Sequence, residues 1–357
     1  MADDTSAAQV ASIVHGVRPL NVAVVGATGN VGTTMLEVLA ERGIPIASLR
    51  VMASSRSVGR ELECGEQRAT VEDLAAADPS GIDVALFSAG GDRSLEHAQR
   101  FAQAGAIVID NSSAFRMHDD VPLVVPEVNP EALDDIPLGI IANPNCSTIQ
   151  LVVALQPLHA GFGLERVTVT TMQSTSGTGQ GAMQELEHQA RLVMGVAPDD
   201  PEVYPHPIAF NVIPHCDSFA DDGFTKEELK LRNETRKIMG LPDLRISATC
   251  TRVPVFVGHS ESVNVETRDA IDPIRAQALL ANAAGIELVD DPAQNEYPMP
   301  RDAAGRDEVF VGRVRTDPAV PGGHGLALFV VADNLRKGAA TNAVQILEAL
   351  VERGRWS

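Results

Sequence analysis

The sequence is poor in cysteine, in basic residues and in long apolar runs, and each shortage excludes something. Four cysteines (Cys64, Cys146, Cys216 and Cys250) are scattered with no CxxC or CxxH pairing. Neither a zinc site nor a disulfide framework is expected, and a reducing compartment fits. The longest apolar runs, such as Leu151 to Leu155, fall far short of a membrane span. Basic residues number 28 against 48 acidic, a net charge of −20. That balance argues against a nucleic-acid or anionic-membrane partner, because both need a basic face. Residues 1–19 lack the basic n-region and apolar h-region of a signal peptide, which predicts a disordered tail on a cytoplasmic protein.

What is present is enough apolar material, 44% of 357 residues, for two domains with their own cores. Short apolar runs at Leu20 to Val25, Ser48 to Ala53, Asp83 to Ser88, Ala106 to Asp110 and Ile140 to Ala142 read as strands. Helical patterns at Val31 to Arg42 and Arg93 to Ala104 fall between them. This alternation predicts a Rossmann-type parallel sheet covered on both faces. After Pro144 a helix over Ser147 to His159 leads into longer strands at Arg166 to Ser174, Arg245 to Val253, Ser260 to Thr267, Glu308 to Arg315 and Leu326 to Val331. They predict an α+β second domain with a mostly antiparallel sheet. The α/β chain thus divides into a nucleotide-binding domain over 20–145, completed by a C-terminal helix within 336–357, and a second domain over 146–335.

The turn after the first strand reads Gly26-Ala27-Thr28-Gly29-Asn30-Val31-Gly32. Glycines at this spacing let the backbone turn sharply and approach a pyrophosphate seated on the next helix N-terminus. Spaced glycines alone often bind nothing, but a strand before and a helix after them point to a dinucleotide. NAD sites place an acid at the end of the second strand; here Ser54, Ser55, Arg56 and Ser57 follow Ala53. A carboxylate would repel a 2′-phosphate, whereas Arg56 with Ser54 and Ser57 can bind one, so NADP is expected.

Asn143-Pro144-Asn145-Cys146-Ser147-Thr148 joins the fifth strand to a helix. Cys146 falls at or beside the helix N-cap, where unpaired amides and the helix dipole favour a thiolate. Most cysteines are small buried hydrophobes, and Cys250, inside a β pattern, reads as one. The polar neighbours of Cys146, and its place at the carboxyl end of a strand, read instead as a nucleophile. Cys216 follows His215, but neighbours on a strand point to opposite faces.

These segments, together with Asp110 to Met117, Gln173 with Ser176 to Gly179, Phe224 to Lys230, Arg252 with His259, and Asp333 to Ala340, resemble the aspartate-semialdehyde dehydrogenase family. The resemblance runs from about Leu20 to the C-terminus. It implies a homodimer that reductively dephosphorylates aspartyl-4-phosphate to aspartate semialdehyde with NADPH. The reaction belongs to biosynthesis of lysine and diaminopimelate, threonine, methionine and isoleucine. In that reading Cys146 forms a thioester and releases phosphate. His259 is the general acid/base, and Gln173 orients the acyl group. Arg252 forks the α-carboxylate, Glu227 takes the ammonium, Arg116 and Lys230 take the phosphate, and Asn145 joins the substrate site. Ser176, Gly177 and Asn334 join the cofactor site. No metal is implied. For Glu227 and Lys230, at i and i+3, the plainer reading is an ordinary ion pair on an exposed helix.

Three alternatives compete. An N-acylglutamyl-phosphate reductase would share the nucleotide fold and the Cys-His pair but needs no carboxylate for an ammonium. A catalytically silent nucleotide-binding module would not need both Cys146 and His259. A cysteine hydrolase leaves the glycine turn and Arg56 unexplained.

Overall fold

Short strands with apolar cores, each followed by a helix with one apolar face, can bury both only as a layered sheet. The computed structural model describes residues 18–193 and 201–356. Of the expected 1–19 tail, residues 1–17 lie outside the described residues; Arg18 pairs with Asp83 at 2.6 Å.

The chain divides into two units. The first, up to Pro144 and again from Ala339, holds a seven-stranded sheet in the order β3-β4-β2-β1-β5-β6-β7. Its strands are β1 Leu20–Val25, β2 Ile46–Ala53, β3 Glu61–Cys64, β4 Gln67–Asp73, β5 Val84–Phe87, β6 Ile107–Asp110 and β7 Ile140–Ala142. All pairings are parallel except β3 with β4. The β3–β4 hairpin, which periodicity did not announce, caps one edge. The helix Thr341–Glu352 contributes Ala343, Val344, Ile346, Leu347 and Leu350 to the same core as β1 and the helix Asn30–Glu41.

The second unit, Asn145–Gly338, carries a six-stranded sheet in the order β11-β12-β13-β10-β8-β9. These are β8 Leu164–Gln173, β9 Arg245–Arg252, β10 His259–Thr267, β11 Ile286–Leu288, β12 Val309–Thr316 and β13 Gly325–Ala332. Three of the five pairings are antiparallel; β8 with β9 and β11 with β12 are parallel. The sheet is mostly antiparallel, as expected, but mixed at both edges. The helix Cys146–Phe162 packs on it, and the helix Lys226–Met239 packs on β9 and on that first helix. Thr148 through Leu155 are all buried, so the longest apolar run is the heart of a core helix. The unit boundary places Asn145 and residues 336–338 with the second unit, one and three residues away from the division read in the sequence.

Candidate active site

In the first unit the glycine turn is dictated by sterics. Gly26 has φ +83°, and a Cβ there would lie 2.2 Å from the Ser88 carbonyl oxygen. A Cβ on Gly32 would lie 2.2 Å from the Gly26 carbonyl oxygen. Gly29 is the N-cap with ordinary extended geometry, φ −85°, and is the least constrained of the three. The helix it opens has no acidic residue in its first turn and no side-chain cap, so its positive end suits an anion. A cleft of about 420 Å³ lies against this turn, lined by Gly26, Thr28, Gly29, Ser54, Arg56 and Ser57 among others. Asn30, Val31 and Gly32 do not line it; they start the helix. Arg93, from the first turn of the helix Gly91–Gln103, also lines it, and the sequence reading missed it. No described residue lining the cleft is acidic.

Arg116 belongs to the same unit and is buried. Its Nε donates to the Asn143 carbonyl and its Nη2 to the Asn111 carbonyl, each at 2.9 Å. Asp110 anchors that loop, accepting from the Ser94 hydroxyl at 2.7 Å and from the Ser112 hydroxyl at 2.7 Å. Burial raises its carboxyl above the usual range, with the serine bonds opposing.

In the second unit Cys146 is the first residue of its helix, and the Asn145 side chain caps it by accepting from the Ser147 amide at 3.0 Å. Cys146 alone among the four cysteines is not buried. Burial pushes the Cys216 thiol up to about 12 and raises Cys250 further, leaving both inert at neutral pH. A Cβ on Gly338 would lie 2.8 Å from the Cys146 Cβ, so Gly338 keeps room for that side chain.

The helix Lys226–Met239 opens with a capping box between Thr225 and Glu228. Its inner face turns two carboxylates, seven residues apart, onto Asn145. The Glu227 Oε1 accepts from Asn145 Nδ2 at 3.0 Å and from Gln173 Nε2 at 3.1 Å. Glu234 Oε2 accepts from the Asn145 amide at 2.7 Å. Gln173 also donates to the Ser147 hydroxyl at 2.7 Å. Glu227 is buried, 7% exposed, so the exposed-helix reading fails. Its pairing with Lys230, at 3.2 Å, is real but belongs to this cluster. Lys230 is held on its other side by Asp217 at 2.6 Å. Burial disfavours the Lys230 ammonium, but Glu227 and Asp217 more than offset this and raise its pKa. Neither Asp217 nor Glu234 was singled out from the sequence. Glu234 carried a usable signal, since it lies two helical turns from Glu227 on the same face.

Arg252 ends β9 opposite Gln173, and His259 begins β10. Arg252 Nη1 donates to the Ser174 carbonyl at 2.6 Å, while its buried Nε has no partner. His259 is fully buried, and its Nε2 also has none. Burial first, and then the charge of Arg252, push this imidazole well below its ordinary pKa. A Cβ on Gly177 would lie 3.1 Å from His259 Nε2 and 3.2 Å from Arg252 Nη1. Gly177 thus faces the gap shared by both. Ser176 and Asn334 sit in the same second unit, hydrogen-bonded to each other. Among the described residues no group of three or more His, Cys, Asp or Glu could hold a metal, and no helix is long and apolar enough to cross a membrane.

This arrangement can be set beside known proteins. Residues 21–136 match the family described as semialdehyde dehydrogenase, NAD binding domain, and residues 155–337 match its dimerisation domain. An aspartate-semialdehyde dehydrogenase of Aquifex aeolicus is 54% identical over 93% of this chain and 98% of its own length. A crystal structure of aspartate semialdehyde dehydrogenase II complexed with ASA, from Vibrio cholerae, superposes with TM-score 0.91 at 48% identity, covering 94% of this chain and 98% of that one. The enzyme of Candida albicans with NADP gives TM-score 0.72 at 27% identity, over 94% and 99%. Similarity of this extent, spanning both units and their ordered motifs, leaves one assignment: the chain belongs to the aspartate-semialdehyde dehydrogenase family.

Proposed function

We propose that the chain is an NADP-dependent aspartate-semialdehyde dehydrogenase, forming aspartate semialdehyde from aspartyl-4-phosphate through a thioester on Cys146. The observation that carries this is the second unit's buried cluster. There the one cysteine that is not buried begins a helix whose cap, Asn145, is bonded to Glu227, and Gln173 bonds that same carboxylate. A buried carboxylate fits a substrate ammonium, and a buried guanidinium with a spare Nε–H fits a carboxylate. That pair is complementary to an amino-acid head group, whereas an N-acylated substrate would set a neutral amide against Glu227.

The first unit fits a dinucleotide, because Gly26 and Gly32 leave the space any Cβ would fill and the helix behind them presents an uncapped positive end. Arg56, Ser54 and Ser57 would take a 2′-phosphate, and the lack of an acid in the cleft supports NADP over NAD. Ser176, Gly177 and Asn334 are the second unit's candidates for the cofactor. When bound, the reduced nicotinamide supplies the hydride that takes a thioester to the aldehyde level. In the chain's own part, Cys146 Sγ bonds to the acyl carbon as the carbon–oxygen bond to phosphate breaks. Gln173 and Asn145 hold the acyl end, and Arg116 and Lys230 are the cations assigned to phosphate. His259 exchanges a proton at Nε2, the ring atom with no protein partner. The dimerisation-domain match supports a homodimer. A cytoplasmic location in aspartate-family amino-acid biosynthesis follows from the same reading.

The test is catalytic efficiency in phosphate-dependent NADP reduction, with aspartate semialdehyde against N-acetylglutamate semialdehyde. Preference for the free amine is expected. A native enzyme that prefers the acetylated substrate would defeat the substrate assignment.

A further inference from the structure

Pro144 has no N–H, so the last backbone donor before Cys146 is the amide of Asn145. Asn145 is buried, and its amide donates to Glu234 Oε2 at 2.7 Å, on another helix and 89 residues away. The other polar groups of Asn145 are committed as well. Its carbonyl accepts from the Ile149 amide at 2.9 Å, its Oδ1 accepts from the Ser147 amide at 3.0 Å, and its Nδ2 donates to Glu227 at 3.0 Å. The Cys146 Sγ lies 4.0 Å from that same Oδ1, so the place of Asn145 bears directly on the sulfur. On another side, a Cβ on Gly338 would lie 2.8 Å from the Cys146 Cβ. The nucleophile therefore has backbone close against it and little room to drift.

Glu227 and Glu234 stand two turns apart on one face of the helix Lys226–Met239, about 10 Å along its axis. Both converge on Asn145, but on different atoms: Glu227 meets the side chain and Glu234 the main chain. A bond to a main-chain amide says nothing about which substrate is bound. What it fixes is the path of the backbone into the helix Cys146–Phe162.

We propose that Glu234 is the positioning residue for Cys146: by holding the Asn145 amide, it sets where the nucleophile stands relative to Glu227, and so relative to a substrate anchored there by its ammonium. The inference rests on Cys146 as the nucleophile and Glu227 as the ammonium site. Glu234 acts at one remove: the carboxylate holds the amide, the amide fixes the cap, and the cap places the sulfur. Attack on the acyl carbon needs reacting atoms about 3–3.5 Å apart and aligned, a tolerance that a displaced cap exceeds. Left without an acceptor, a buried amide turns to another oxygen or admits water, and either moves the cap. Ground-state binding, spread over several side chains, responds far less to such a displacement. The loss should therefore fall on kcat rather than on KM.

Two conservative substitutions separate reach from charge. Glu234→Gln keeps an oxygen at the same distance and removes the charge. Glu234→Asp keeps the charge and withdraws the carboxylate by about 1.5 Å, one carbon–carbon bond, beyond hydrogen-bonding range of the amide. In phosphate-dependent oxidation of aspartate semialdehyde by the full-length enzyme, Glu234→Asp should lose about tenfold to a hundredfold in kcat, with Michaelis constants within about threefold of native. Glu234→Gln should keep kcat within about fivefold of native. Alkylation of Cys146 by iodoacetamide, read by peptide mass spectrometry without substrate or cofactor, should slow by no more than about threefold in either variant, because it demands a thiolate but no set position. A merely structural role gives a different pattern. A loosened fold would raise the Michaelis constants and lower the thermal midpoint in step with kcat, and would open Cys64, Cys216 and Cys250 to alkylation. The inference is overturned by native kcat in Glu234→Asp, by a Glu234→Gln enzyme as slow as Glu234→Asp, or by losses that fall on KM instead. If Cys146→Ala still turns over, it is the nucleophile reading beneath it that fails.

Discussion

Glu261 offers a prediction that depends on no catalytic assignment. It stands in the middle strand of the second unit's sheet, paired with Thr171 on one side and Val330 on the other, fully buried. Burial raises its carboxyl well above the ordinary value of 4.5. Gln150 approaches and opposes the shift weakly, but the approach falls short of a hydrogen bond: neither Glu261 oxygen nor Gln150 Oε1 has a partner. A neutral acid in the folded state and a carboxylate in the unfolded state bind different numbers of protons. The folded state holds the extra proton, so the stability linked to Glu261 is fully present below pH 4.5 and is lost as pH rises toward the folded value. The loss is about 1.4 kcal/mol per pH unit in that window. Glu261→Gln removes the ionisation while keeping the shape, and its amide can donate to Gln150 Oε1. The variant should gain on the native protein along that slope as pH rises above 4.5, and little below it. Denaturant unfolding of both proteins at equal concentration, in half-unit pH steps, measures the difference directly. A stability difference that stays flat across the window would show that Glu261 is ionised or hydrated in the fold.

The remaining predictions concern the site. Cys146→Ala should abolish turnover while NADP binding persists, and Cys64, Cys216 and Cys250 should each tolerate Ala with most activity kept; mass spectrometry should find the acyl adduct on Cys146 and not on Cys216. The native enzyme should prefer NADPH to NADH by at least about tenfold, the worth of one charge-assisted bond, and Arg56→Ala should shrink that ratio through the NADPH Michaelis constant. Equal native use of both cofactors would overturn the reading of that cleft. Gly177→Ala places a methyl 3.1 Å from His259 Nε2 and 3.2 Å from Arg252 Nη1, so kcat/KM should fall at least about tenfold with thermal stability little changed. Unchanged kinetics would mean that the gap between these two groups is not where substrate reacts.

The fold was legible where periodicity and punctuation coincide. Ile140–Ala142 falls where its apolar triplet stands before Pro144, and β8 to β10 lie within two residues of their expected ends. The β3–β4 hairpin was not legible, because Glu61–Cys64 is the edge strand and Gln67–Asp73 lies next to it, with only Cys64 and Val71 buried in the two. An edge strand that is wet on most sides carries no strong alternation. The helix Pro273–Ala281 did carry a signal in its Asp272 cap and leading proline. At the site, the residues proposed to react stand in spaced motifs, but the side chains that hold them do not. Asp217 reaches Lys230 from a loop thirteen residues away, and Ser174 reaches His259 across 85. Such contacts are made by tertiary packing, which a single sequence does not display.

The way polar capacity is spent in the second unit says what ligand would complete it. A carboxylate offers about four lone-pair positions, and Glu227 gives three of them to Asn145, Gln173 and Lys230. One remains for a single further donor, which an ammonium supplies. The spare groups of Arg252 and His259 are the reverse case: two buried N–H positions, Nε and Nε2, with no acceptor. Each such orphan costs about 1–3 kcal/mol while nothing fills it, and Gly177 leaves no methyl between them. A site short of acceptors at two points and short of one donor at a third demands a ligand with both charges. In a chain of net charge −20, long-range attraction would not bring an anionic substrate in. Its recognition must come from these few desolvated donors at close range, where low polarity strengthens them.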